Sequence, residues 1–464
     1  MNKKYILFFL FGLLSITISA QSLAEAKALY EKGEYEEAKP TFKKLVKTQP
    51  GNGNYNLWYG VCCLETGEPA EALKHLESAV KRRVPSGQLY LARAYNDLYR
   101  FEEAIETYET YISDLRKRKR STEEAEQLLE KSKSNLRMLK GVEEVCFIDS
   151  FVVDKEKFLD AYKISPESGK LFMYDTYFND SGKEGGTVYE TELGNKLYYS
   201  EMQPDSTLSI LSRNKLLDKW SDGSLLPGSI NEAMNADYPY VLTDGITIYY
   251  ASDGPGSMGG YDIFVTRYNT NTDSYLMPEN VGMPFNSPYN DYMMVFDEVK
   301  GLGWFVSDRF QPEGKACVYL FIPNPEHKRV ESEDIEVKRA RAAITAIRDS
   351  WKESSDYADL IRLSHTEIPY GEKKIEKDFE FIIGNNIVYY KLDDINSPEA
   401  KGYYEKVVAL NKQIKELNEK LDGLRVSYAE GNKARKEQLK PTILQAEEQL
   451  NALLEQPGEL EKKA

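Results

Sequence analysis

The chain predicts a multidomain protein: an all-α solenoid of helical repeats, then an all-β propeller-like domain, then an α-helical, coiled-coil C-terminal region preceded by a short β-hairpin. Three observations carry this. The small residues Ala38, Ala72 and Ala104 recur at spacings of 34 and 32 residues. Two strand-rich stretches repeat each other: Asp237 to Asp253, followed by Gly260-Tyr261-Asp262-Ile263-Phe264, and Asp291 to Asp308, followed by Val318-Tyr319-Leu320-Phe321. Finally, Val407, Leu410, Ile414, Leu417, Leu421, Leu424 and Tyr428 step 3-4-3-4-3-4, the seam of a coiled coil. The boundaries that follow are 1–20 for a leader, 21–141 for the repeats, 142–325 for the propeller-like region, 326–398 for a linker helix and hairpin, and 399–464 for the coiled coil or helical hairpin.

The leader reads from its layout. Lys3 and Lys4 precede an apolar run, Tyr5 to Leu14, and Ser19-Ala20 stand before Gln21; this is the pattern of a cleaved secretory signal, too short to span a bilayer in comfort. The first cysteine is Cys62, so no acceptor for lipidation lies near the cleavage point. The expected localisation is therefore export, to the periplasm or in association with the outer membrane, and not as a lipoprotein.

In the repeats, the small residue of each second helix is followed four later by Phe42, Leu76 or Tyr108, while Gly60 and Ala92 take the small position of the first helix and Cys63 and Tyr95 the large one. Helices that approach closely need a small residue where their backbones meet. The spacing matches the tetratricopeptide pattern of roughly 34 residues, three repeats deep. Ser121-Thr122-Glu123-Glu124 looks like the start of one more helix running to about Lys140, closing the stack. The first helices are expected to turn Lys27, Tyr30, Asn54, Leu57, Leu64, Arg93, Asn96 and Asp97 toward a concave groove. Lys27 and Arg93 suit acidic groups there, Asn54 and Asn96 an extended backbone, and the leucines apolar contact.

From Val145 the pattern alternates at period two through Ile148–Val153, Lys170–Tyr174, Thr187–Glu192, Lys196–Tyr199 and Leu208–Leu211, with turn signals such as Gly194-Asn195 and Asp244-Gly245. A repeated unit of roughly 40 to 55 residues made of such strands reads as three to four propeller blades. The charge is uneven: residues 141–325 hold 13 basic against 28 acidic side chains, nearly the whole of the net −15. A nucleic-acid face is excluded there. Further on, a helix from Asp334 to about Trp351 is expected, then a hairpin of Phe379–Ile383 and Ile387–Tyr390 about Gly384-Asn385-Asn386. Gly431-Asn432 and Pro441 are expected to interrupt the final helical pattern, giving either a hairpin packed on itself or a self-associating helix.

Candidate chemistry is sparse. Gly254-Pro-Gly256-Ser-Met-Gly259 fits a dinucleotide-binding spacing, yet a strand follows where a phosphate site needs a helix N-terminus. Only His75, His327 and His365 occur, each isolated. Asp253, Asp262, Asp297 and Asp308 recur at loop positions, where carboxylates cap turns or, alternatively, take up Ca²⁺ or a polar substrate. Arg116–Arg120 complements a helix C-terminus, with contact to an anionic surface or acidic partner as its functional reading. Export permits disulfides; Cys62 and Cys63 read as buried thiols, and Cys146 and Cys317, in the first and last strands of the β region, as a closing bridge. No catalytic residue, cofactor or metal is expected, and no enzyme.

The stretch Ala251-Ser252-Asp253-Gly-Pro-Gly-Ser-Met-Gly259-Gly260-Tyr261-Asp262-Ile263-Phe264 resembles the repeat of the TolB-like, WD40-like (PD40) propellers of Gram-negative envelope proteins. Joined to tetratricopeptide repeats, it is similar to secreted proteins of which some serve type IX secretion and gliding. Many of those end in an OmpA-like domain, whereas this chain ends in helices. The resemblance implies a periplasmic or outer-membrane-associated scaffold binding envelope proteins or peptide segments. The alternatives are a glycan- or peptidoglycan-binding module using the tyrosine-rich face and, third, a hydrolase with loop carboxylates.

Overall fold

The computed structural model describes residues 21–464 except 180–181, 217–218, 232–233, 270–273, 353–354, 368–380, 385–386, 390, 393–394, 396, 431–432, 455, 462 and 464. The expected leader and the expected turns at 385–386 and 431–432 lie outside the described residues. The described residues divide into two compact units, 21–137 with Arg309–Lys315, and 138–308 with 316–463.

The first unit is a stack of antiparallel helix pairs: α1 (Leu23–Lys32) with α2 (Tyr35–Thr48), α3 (Gly53–Glu65) with α4 (Pro69–Lys81), and α5 (Gly87–Asp97) with α6 (Phe101–Lys117), followed by α7 (Glu123–Lys140). Ser22 and Glu25 close a reciprocal capping box on α1, and Gly33 ends that helix in the left-handed conformation. Ala38, Ala72, Ala92 and Ala104 are fully buried where helices meet, with Phe42, Leu76 and Tyr108 behind them. The reason is steric: a methyl group on Gly60 would fall 2.8 Å from Leu76 Cγ. The alanine register is thus the packing register.

The second unit opens with β1 (Cys146–Asp154), two 3₁₀ turns, β2 (Lys170–Met173), α8 (Tyr174–Phe178), β3 (Gly185–Glu190), β4 (Lys196–Met202), β5 (Leu208–Asn214) and β6 (Ser224–Leu225). After α9 (Gly228–Asn231) come β7 (Ala236–Val241), β8 (Thr247–Ser252), β9 (Asp262–Asn269), β10 (Ser274–Tyr275), β11 (Glu279–Asn280), β12 (Val295–Asp297), β13 (Leu302–Ser307) and β14 (Lys315–Ile322). These make three sheets: β2-β3-β4-β5-β6, β7-β8-β9-β10 with β11 also on β9, and β12-β13-β14-β1. The last recruits β1, the first strand of the region, next to β14. Exposed strand edges invite further pairing. Here β6 and β10 are two residues long, and the turn Ile347–Ser350 lies on β1. Ser350 Oγ accepts from Phe147 N (2.9 Å), and Trp351 Nε1 donates to Phe147 O (2.7 Å).

The repeat seen in the sequence is also a repeat of hydrogen bonds. Asn231 accepts from Ile210 N and donates to Ile210 O, and Asn286, 55 residues on, does the same with Ile263. Asn235 donates through N and Nδ2 to the two oxygens of Asp253; Asn290 does so to Asp308, again 55 on. Asn231 and Asn286 thereby act as one more residue of strand backbone, satisfying groups that would otherwise be buried unpaired.

The C-terminal part holds α10 (Ile335–Ala343), α11 (Ala358–Ser364), the antiparallel pair β15 (Phe381–Gly384) and β16 (Ile387–Tyr389), α12 (Pro398–Glu430), α13 (Lys433–Leu454) and α14 (Gln456–Glu461). On α12 the seam residues Val407 and Leu421 are fully buried, and Ile414, Leu417 and Leu421 pack with Ile443, Ala446 and Leu450 of α13. The helices therefore form a hairpin packed on itself.

Several expectations are corrected. The helix from Asp334 stops at Ala343, because Ile344 turns left-handed at φ 51° and Ile344, Ile347 and Trp351 pack on the sheet core. Pro441 does not interrupt the last pattern but lies inside α13. No disulfide joins Cys146 and Cys317; all four cysteines are thiols. The antiparallel bridge Glu143–Arg329 sets Cys146, at the start of β1, toward the far end of β14, whereas Cys317 is near that strand's beginning. The five residues from Cys317 to Ile322 span about 16 Å, beyond disulfide reach. As for the propeller, three consecutive antiparallel sheets are present, and among the described residues they close no barrel or ring.

Candidate functional site

The groove residues expected from the sequence fall into two groups. On α1, Lys27 lies with its Nζ 4.3 Å from the ring centre of Trp58 on α3, and Tyr30 sits edge-on to Tyr35 and Phe42. Asn54 is exposed in the first turn of α3, which Asn52 caps. These three remain on or near the surface. Leu57 and Leu64 do not: both are 6 % exposed and belong to the core, because α3 is apolar on nearly every side and buried from Tyr59 to Leu64.

Arg93 is engaged by Glu65 of α3 at 2.8 Å. Asn96 accepts from Ser132 Oγ (3.1 Å) and Asn135 Nδ2 (3.3 Å) of α7, so it fastens the closing helix. Burial pushes the Asp97 carboxyl up to about 7, against the pull of Arg93. Arg93 and Asn96 thus hold the stack together, and their expected role as free contacts is withdrawn. The sequence reading missed Trp58, Glu65 and Tyr90. Trp58 lies four residues after Asn54 and Tyr90 three before Arg93, helical spacings that mark shared faces. Tyr90 stands close enough to Tyr30 to raise its hydroxyl pKa, after burial. Burial also lifts the Cys62 thiol to about 12 and Cys63 to about 11, leaving them unreactive at neutral pH.

Residues 23–87 and 65–121 match the tetratricopeptide-repeat family model. No curated protein matches the chain. The helical array is therefore a set of tetratricopeptide repeats, modules that generally mediate contacts between proteins.

In the sheet region the four singled-out carboxylates are internal fasteners. Asp253 and Asp308 hold Asn235 and Asn290, and Asp308 also receives Tyr292 Oη (2.9 Å) and Lys155 Nζ (3.1 Å). Asp297 accepts from Ser165 N and Oγ, both at 2.7 Å. Asp262 accepts from Met258 N, Gly259 N and Asn280 Nδ2; the glycine-rich loop is thus tied by a carboxylate, not open to a phosphate. Among the described residues no group of three or more His, Cys, Asp or Glu could hold a metal ion, and no helix is long and apolar enough to cross a membrane. A cavity of about 260 Å³ lies between the turns of the first two sheets, lined by Glu167, Thr191, Asn195, Lys196, Tyr198 and Thr243 among others.

Burial, with Asp291 adding to it, raises Asp262 to about 7, far above the roughly 3.9 of an unfolded chain. Between those values the folded state binds the extra proton, so stability rises as pH falls from 8 toward 5. Urea unfolding of the sheet region at pH 5, 6, 7 and 8 should show the gain, on the order of 1.4 kcal/mol per unit of pKa difference at most. In Asp262→Asn the slope should flatten; an unchanged slope would locate the titration elsewhere.

Proposed function

We propose that the protein is a non-enzymatic scaffold that captures a peptide or partner helix on the inner face of its tetratricopeptide repeats, as an adaptor in an envelope assembly. The observation that carries this reading is the repeat array itself, whose first helices set Lys27 against Trp58 and Tyr30 beside Tyr90. Aromatic and cationic side chains on a preformed helical face suit peptide recognition, since little ordering entropy is lost on binding. The leader pattern of Lys3, Lys4 and the run Tyr5–Leu14 supports export. Three successive sheets with β1 closing onto the last, and the 55-residue hydrogen-bond repeat, support a blade-like second platform.

The test is crosslinking in intact envelopes, with captured proteins identified for the parent chain and for a Lys27→Glu/Tyr90→Ala variant. Capture of the principal partner should fall at least tenfold, which requires only about 1.4 kcal/mol, while the melting temperature moves by a few degrees. Undiminished capture would move binding off this face. The cavity between the first two sheets, where the rings of Tyr189 and Tyr198 stand beside Asn195 and Lys196, favours glycan binding as the second reading, and a glycan array with the purified chain decides it.

A further inference from the structure

A second surface of the repeat unit lies away from the inner face, at the turns that join one helix pair to the next. These turns touch in series. A methyl group on Gly53, after the α2–α3 turn, would fall 2.7 Å from Arg82 Cβ and 2.8 Å from Val84 Cγ2 of the α4–α5 turn. Ser86 of that turn and Gln88 at the start of α5 face Tyr111 and Asp114 of α6 and Arg118 and Arg120 just past its end across a cavity of about 90 Å³. The same turns carry exposed cations: Lys47 on the first, Lys81 to Arg83 on the second, and Arg118 to Arg120 on the third. Among the described residues none of the seven has a salt-bridge partner. The acids nearby are mostly spent, Asp114 on Lys117 (3.4 Å) and Glu126 on Arg116 (2.7 Å), with Glu123 and Glu124 exposed at the start of α7.

Cations at helix C-termini complement the macrodipole, but that effect asks for one or two per helix within the last turn. Arg118 to Arg120 continue past the end of α6, and Lys119 holds a left-handed backbone (φ 54°). With helix axes 8–10 Å apart, three turns span about 20 Å, the length of about six extended residues. We propose that this row of turns docks an extended acidic protein segment, one of whose carboxylates enters the recess between Ser86 and Arg118/Arg120. A row with a recess suits a strand-like ligand with side chains, where a flat anionic surface would reach only the rim. The assignment is independent of the inner-face reading.

The experiment titrates the full chain with a fluorescein-labelled hexaglutamate peptide, measured by anisotropy at several salt concentrations. Saturable binding that weakens with salt is expected. Arg118→Glu/Arg120→Glu should lower affinity at least tenfold, whereas Lys32→Glu/Lys43→Glu, an equal charge change off this row, should change it less than twofold. Ser86→Asp supplies the control on folding: aspartate is a good N-cap and Ser86 makes no cap bond, so thermal stability should hold while the peptide is repelled. Equal losses in both charge-reversal pairs, or unimpaired binding by Ser86→Asp, would overturn the proposal. So would absence of peptide binding, whether accompanied by binding to phosphatidylglycerol vesicles, which assigns the row to a membrane surface, or by self-association lost in Arg118→Glu/Arg120→Glu, which assigns it to a second copy.

Discussion

Asn286→Ala should destabilise the sheet region by about 3 kcal/mol, read as a shift in the urea midpoint at unchanged slope. Asn286 is fully buried, accepts from Ile263 N at 2.8 Å and donates to Ile263 O at 2.7 Å and to Asn280 Oδ1 at 2.8 Å. Ile263 O keeps a second donor, Val281 N, but Ile263 N is left buried with nothing to bond. An unsatisfied buried amide costs about 1–3 kcal/mol, and the vacated volume adds to that. The equivalent Asn231→Ala should cost less, about 2 kcal/mol, since Asn231 is only partly buried. If Asn286→Ala costs under 1 kcal/mol, the side chain is not standing in for strand backbone.

Gly259→Ala should be worse still, with a loss of about 4 kcal/mol or failure to accumulate folded protein. A methyl group there would lie 1.8 Å from Tyr289 O and 2.7 Å from both Pro288 C and Ser287 O. All three are backbone atoms, so no rotamer change relieves the clash. The 287–290 loop would have to retreat, taking with it the clamp between Asn290 and Asp308. Gly245→Ala is the comparison: its φ of 73° disfavours a side chain, but nothing lies within 4 Å, so its cost should stay at about 1–2 kcal/mol. Equal melting temperatures for the two variants would refute the packing account of Gly259.

What the sequence disclosed tracks how local each constraint is. Ala38, Ala72 and Ala104 could be placed because a helix pair repeats its close approach in register, and the α12 seam because its spacing is set by helical pitch. Leu57 and Leu64 were misplaced because α3 has no polar stripe from which to tell groove from core. The pairing of Arg93 with Glu65 joins two helices and leaves no trace in spacing. Asn231 and Asn286 recur, each four residues before Asn235 or Asn290, yet a polar residue ahead of a strand reads as ordinary turn chemistry. Their distinctive role depends on which backbone groups the fold leaves unpaired. The expected bridge between Cys146 and Cys317 failed on direction: the right two strands meet, but antiparallel.

That meeting of β1 with β14 bears on how the chain is made. About 160 residues separate the two strands, so β1 emerges early in synthesis and its partner late. At about 5–20 residues per second, β1 waits on the order of 10–30 s with its ladder groups unspent. The first two sheets can form from short-range hairpins during that interval, while the third cannot be completed until Ile322 is available. Loop closure on this scale makes final assembly slow relative to hairpin formation. A nascent or truncated chain ending before β14 would therefore present β1 as an open edge to other molecules.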